Sequence, residues 1–149
     1  MIYTETEVRD AIETEAKTWI GTPYRDRGQV KGRHGGVDCC TLLIGVFSEA
    51  GAFPWFVPPF YTPQEPLHKF TSRYLGALLR YARPLDEGEA WLPGDVMMFK
   101  IAMQASAGHA AIYLGGESLI HAEWRRQVCL TTTRRSLFRT LVGVYRFRG

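Results

Sequence analysis

The chain has 149 residues, of which 46% are apolar and 22% charged, with a net charge of +3. That length suits one domain spanning 1–149, and the balance argues against disorder, collagen-like repeats and coiled coil. Three cysteines, at 39, 40 and 129, are too few and too odd in number for a disulfide framework.

The N-terminus carries acids at 5, 7 and 10, where a signal peptide needs a basic start and an apolar run. The expectation is synthesis in the cytoplasm without an export address. No apolar stretch approaches ~20 residues, so no membrane span is expected. From His121 onward, arginines at 125, 126, 134, 135, 139, 146 and 148 stand against one acid, Glu123. They lack interleaved exposed aromatics and any nucleic-acid motif, so they read as a solvated strand face and not as a nucleic-acid surface.

Thr4 followed by Glu7 has capping-box form, and Val8, Ile12, Ala16 and Trp19 then make one apolar stripe. A helix is expected over 5–20, ended by Gly21-Thr22-Pro23. Residues 24–37 are basic and glycine-rich and read as loop. A second helix is expected over 38–51, with Asp38 at its start and Gly51 past its end. Leu42, Leu43, Ile44, Val46 and Phe47 make it apolar nearly all round, which marks a buried helix. Residues 53–66 mix five prolines with aromatics, an irregular segment whose rings suit core packing better than a cleft wall. A third helix is expected over 67–83, stopped by Pro84. Strands are expected over 95–100, 109–114, 118–123, 127–132 and 142–147, with Gly115-Gly116 as a tight turn. Helices first and an antiparallel sheet after make an α+β layout.

Cys39 falls at the expected N-terminus of a buried helix. Unpaired amides and the helix dipole there favour a thiolate, and the same amides suit an oxyanion. A thiolate also needs an imidazole as general base, and that imidazole needs an orienting group. His109 opens one expected strand and His121 lies in the next. A Gly-Gly hairpin between them would bring the two rings together. His34 and His68 read as surface residues. A lone cysteine is more often an inert core thiol, and buried histidines are common, so spacing alone leaves both readings open. No Cys-x2-4-Cys or His-x3-5-His pair exists, so no metal site and no cofactor are expected.

Four stretches resemble the NlpC/P60 family of papain-like cysteine peptidases. Ala16-Lys17-Thr18-Trp19-Ile20-Gly21-Thr22-Pro23-Tyr24 is similar to its opening helix and Gly-x-Pro-Tyr turn. Val37-Asp38-Cys39-Cys40-Thr41-Leu42 resembles its Asp-Cys-Ser-Gly-Leu motif. Leu92-Pro93-Gly94-Asp95-Val96 resembles its Pro-Gly-Asp stretch, and Gly108 to Gly115 with Ile120-His121-Ala122 resembles its two histidine strands. The order agrees over nearly the whole chain. The resemblance implies a papain-like α+β fold, with N-terminal helices packed on a central antiparallel sheet. It implies Cys39 as nucleophile, His109 as base and acid, and His121 as orienting group. Tyr24 would stand near the oxyanion, and Asp38 beside the nucleophile would contact substrate as well as cap the helix. The implied activity is cleavage of peptidoglycan stem peptides between D-γ-glutamate and a diamino acid, without cofactor.

Cys40 and Thr41 depart from the family's Ser-Gly, and Arg25, Arg27, Lys31 and Arg33 replace its Trp-Gly-Gly loop. With the insert at 53–66, the chain looks more like the phage and gene-transfer-agent subgroup, which implies phage tail proteins as partners and a virion-associated location. The alternatives are a papain-like amidase or acyltransferase on another substrate, and a non-catalytic tail-assembly protein.

Overall fold

The computed structural model describes residues 5–58, 80–100, 108–135 and 141–148. Helix α1 is Glu5–Thr18, with Glu5 and Glu7 in its first turn and Lys17 in its last, which suits the helix dipole. It buries Val8, Ile12 and Ala16, the expected stripe. Thr4, the expected cap, lies outside the described residues.

The loop that follows, expected to be irregular, contains a short ladder, β1 (Gln29–Val30) against β2 (Gly36–Val37). Helix α2 is Cys39–Glu49, and Cys39 to Phe47 are all buried. It crosses α1 closely because Gly45 makes room for the Trp19 ring: a Cβ on Gly45 would lie 2.6 Å from Trp19 Cζ2. Only a glycine lets the indole approach this near.

Six strands form one antiparallel sheet: β3 (Ala82–Pro84), β4 (Val96–Lys100), β5 (Gly108–Gly115), β6 (Ser118–Ala122), β7 (Val128–Thr132) and β8 (Leu141–Phe147). Their order is β3-β8-β4-β5-β6-β7. The five expected strands are all present, with ends moved by a residue or so. The helix expected over 67–83 lies outside the described residues as far as 79. At its end the expectation is overturned, because Ala82 and Arg83 are extended and pair with β8. Pro84 is tolerated there because β3 is an edge strand.

Alternation along the strands divides the apolar residues. Val96, Met98, Ala110, Ile112, Ile120, Ala122 and Phe147 join the core built on α1 and α2, while Met97, Phe99, Ala111, Tyr113, Leu119 and Val144 form a second cluster. Phe53, from the proline-aromatic segment, stacks on Phe147 and Tyr81 in the main core, as expected. Trp55 is exposed, and Phe60 and Tyr61 lie outside the described residues. The layout is α+β, with two helices against a six-stranded antiparallel sheet. Among the described residues no helix is long and apolar enough to cross a membrane.

Not every arginine of the C-terminal third is on a solvated face. Arg146 is buried, with Nε and Nη2 each 2.9 Å from an Asp95 oxygen. Its Nη1 donates to Glu89 and its Nη2 also to the Ala90 carbonyl. Asp95 is thereby tied to the last strand, and it also accepts from the Leu92 amide at 2.8 Å.

Candidate active site

Asp38 is the N-cap of α2. Its Oδ1 accepts from the Cys40 and Thr41 amides at 2.9 Å, and its own amide donates to Thr41 Oγ1 at 2.9 Å. This is a capping box with threonine in the third helical position. It gives Thr41, the departure from a family glycine, a definite role: the hydroxyl closes the cap. Asp38 Oδ2 also accepts from the Arg27 amide at 2.8 Å. Arg27 has a positive φ of 59°, so the carboxylate holds the basic loop in a conformation that a non-glycine residue adopts at some cost.

The capping bonds correct one expectation. The amides of Cys40 and Thr41 are taken by Asp38 and are not donors for an oxyanion. The Cys39 amide takes no part in these capping bonds.

Cys39 is the first residue of α2 and is buried. Tyr24 is close enough for the charges of Cys39 and Asp38 to act on its phenol. Burial, then those two charges, push its pKa well above the usual tyrosine value, so it stays a protonated donor; a hydrogen bond to Asp26 adds to this. Backbone bonds fix the Tyr24 segment on both sides. The Tyr24 amide donates to the Arg126 carbonyl at 2.9 Å, and the Val37 amide donates to the Pro23 carbonyl at 3.0 Å. The turn after α1 thus ties the start of α2 to the sheet edge at β7.

The second group is on the sheet. The turn at Gly115 and Gly116, both at positive φ, folds β5 back onto β6 in register, with Ile112 opposite Ile120. His109 Nε2 and His121 Nδ1 are then 2.8 Å apart, with the rings nearly perpendicular. Burial, then the neighbouring His121, drives the His109 pKa down to about 3. His121 is brought down to about 4, again by burial, with Glu123 opposing and Arg135 assisting. Both rings are neutral at neutral pH.

The candidate residues therefore gather as two groups, Tyr24–Asp38–Cys39 and His109–His121. Helix α2, which starts at Cys39, packs against β5 and β6, which carry the histidines. Cys39 shares the main core with Ala110 of β5 and Ala122 of β6. Cys40 is completely buried. His34 is exposed and His68 lies outside the described residues. Cys129 is half-buried, with Sγ 3.6 Å from a Glu123 oxygen. Glu123 escaped sequence reading. Its spacing of two from His121 on one strand face was the available signal.

The family model that matches is that of the NlpC/P60 family, over residues 21–144. The chain belongs to the NlpC/P60 family. No curated protein matches the chain. Among solved structures, a protein described as similar to a lipoprotein of the NLP/P60 family, from Staphylococcus aureus, superposes with a TM-score of 0.66 at 22% identity. That match covers 100% of this chain and 44% of the staphylococcal one, so this chain spans less than half of that relative. The peptidoglycan hydrolase RipB of Mycobacterium tuberculosis gives 0.64 at 16% identity, covering 97% of this chain and 67% of RipB. The P60 domain of an antigen from Mycobacterium avium paratuberculosis gives 0.61 at 16% identity, covering 97% and 96%. At these identities the superpositions bear on the fold alone. The NlpC/P60 fold accounts for the layout seen here, two helices packed against a six-stranded antiparallel sheet.

Proposed function

We propose that this chain is a cysteine peptidase that hydrolyses peptidoglycan stem peptides at the D-γ-glutamyl–diamino acid bond. The observation that carries the reading is the 2.8 Å bond between His109 and His121, on the sheet against which the capped Cys39 helix packs in an NlpC/P60 chain.

Cys39 is the nucleophile. His109 is neutral at neutral pH and therefore able to take the thiol proton as the sulfur attacks the scissile carbonyl. With Nε2 turned to His121, Nδ1 of His109 is the nitrogen that exchanges the proton. Once protonated, His109 donates through Nε2–H to His121 Nδ1, and His121 orients the ring through that bond. The Cys39 amide stabilises the tetrahedral oxyanion, and Tyr24, on turning its hydroxyl from Asp26, adds a second donor. His109 then protonates the leaving amine, and water, activated by the same imidazole, releases the acyl group. Burial of both rings keeps water from competing for these bonds. None of these steps requires a metal or organic cofactor.

The basic loop and the 53–66 insert favour a phage-tail setting within this reading, with tail proteins as partners and a virion-associated location. The test is cleavage of purified muropeptides by the wild type and by Cys39→Ala and Cys40→Ala. Cleavage lost only with Cys39→Ala is expected. Cleavage that survives Cys39→Ala but is lost with Cys40→Ala would overturn the assignment of the nucleophile. Absence of cleavage of any muropeptide by the wild type would refute the substrate.

A further inference from the structure

The β6–β7 end of the sheet carries a cluster of which the proposed reaction uses only His121. His121 and Cys129 stand directly opposite one another across the ladder. Glu123 follows His121 by two positions, one residue past the end of β6. An imidazole nitrogen, a thiol sulfur and a carboxylate oxygen from these three residues all lie within 4.8 Å of one another. A tetrahedral zinc with bonds of about 2.0–2.3 Å separates its ligand atoms by roughly 3.5 Å. Closing the cluster by about an ångström, within the reach of small side-chain rotations, completes such a site.

We propose that His121, Glu123 and Cys129 form a three-ligand site for a thiophilic divalent cation of the Zn2+ class, with solvent as fourth ligand. Nδ1 of His121 is engaged with His109, so Nε2 is the nitrogen the metal takes. Glu123 is already divided between two partners. Arg135 donates to Oε1 at 3.0 Å, and Cys129 Sγ faces Oε2 at 3.6 Å. Arg135 thereby orients the free edge of the carboxylate, as outer-shell groups do at metal sites. Its positive charge, with Arg126 at 4.0 Å, works against any cation held by charge alone. One carboxylate facing two arginines is a poor site for Mg2+ or Ca2+; a thiolate and an imidazole select Zn2+ or Cd2+. Binding releases the Cys129 thiol proton to solvent.

The site has a consequence for the neighbouring pair. A metal on His121 Nε2 leaves the ring proton on Nδ1, so the His121–His109 bond runs from His121 to His109. The proposed reaction uses the opposite direction. Occupancy therefore inhibits. This consequence rests on the reaction proposed above; the binding itself does not.

The test uses the full chain with Cys39→Ala, which removes the competing thiol. Cd2+ is titrated and its thiolate charge-transfer absorption followed, and Zn2+ binding is measured by calorimetry. One equivalent is expected to bind. Loss of an outer-shell group at a metal site costs roughly 10–100-fold in affinity, so adding Cys129→Ser to remove a ligand should weaken binding by at least about 100-fold and abolish the absorption. Glu123→Gln should weaken binding while retaining the absorption. Saturating Zn2+ should also slow alkylation of Cys129 at least tenfold in the Cys39→Ala protein, a readout that survives if the serine variant does not fold. Absorption that persists with Cys129→Ser, alkylation unchanged by Zn2+, or no binding at millimolar metal would overturn the site.

Discussion

Acidification from pH 7 to pH 5 should destabilise this protein through His109 and His121, by an amount that follows from their burial. The rings are 6% and 1% exposed, and their pKa values in the fold are about 3 and about 4. An unfolded histidine titrates near 6.5. The folded values are depressed, so the unfolded chain binds protons that the folded chain refuses. The contribution is intact above pH 6.5 and is lost as pH falls toward 3. At pH 5 an unfolded imidazole is almost fully protonated, and each ring then costs about 2 kcal/mol, or about 4 kcal/mol for the pair. This figure is set by the distance of pH 5 from the unfolded value and barely moves for any folded value below about 4. Carboxylates add little in this window: Glu89, held near 2 chiefly by its bond from Arg83, loses its contribution only below its unfolded value of 4.5. The assay is urea unfolding at pH 7 and pH 5 for the wild type and for His109→Gln/His121→Gln. The wild type should lose about 4 kcal/mol and the double variant less than about 1 kcal/mol. A wild type equally stable at both pH values, or a variant with the same loss, would refute the reasoning that the pair is buried and neutral.

Other substitutions probe the frame around the site. Gly45→Ala places a methyl against the Trp19 ring and should cost about 1–3 kcal/mol in urea unfolding, with Trp19→Leu in the same chain recovering part of the loss. Asp38→Ala removes the cap of α2 and the anchor of Arg27; a loss of about 2 kcal/mol is expected by thermal unfolding, and Asp38→Asn, which keeps one acceptor, should lose less. Arg146→Met strands the buried Asp95 carboxylate and should cost about 3–5 kcal/mol, whereas Arg146→Met with Asp95→Leu should regain much of it. A double variant no more stable than the single one would show that the pair's worth is not the stranded charge.

What could be read from the chain alone was local. The four-residue stripe of α1, the all-round apolar run of α2 and the turn signals between strands each depend on neighbours a few residues away. The histidine hairpin belongs here too, because a Gly-Gly turn and two-residue alternation place His109 and His121 within a thirteen-residue segment. The N-cap of α2 was legible for the same reason, since the cap bonds span three residues.

Tertiary structure decided what depended on distant partners. Ala82–Pro84 became a strand because β8 supplies its ladder from more than sixty residues away, against a sequence that reads as the end of a helix. Arg146 looks like one more surface arginine until Asp95, just before β4, pairs with it in the interior. Gly45 has no local signal for its contact with Trp19, which arises only when α1 crosses α2. Cys129 reads as an ordinary strand residue until the ladder sets it opposite His121. Hydrophobic period and turn chemistry specify each segment, and the choice of partner is made only when those segments bury their faces together.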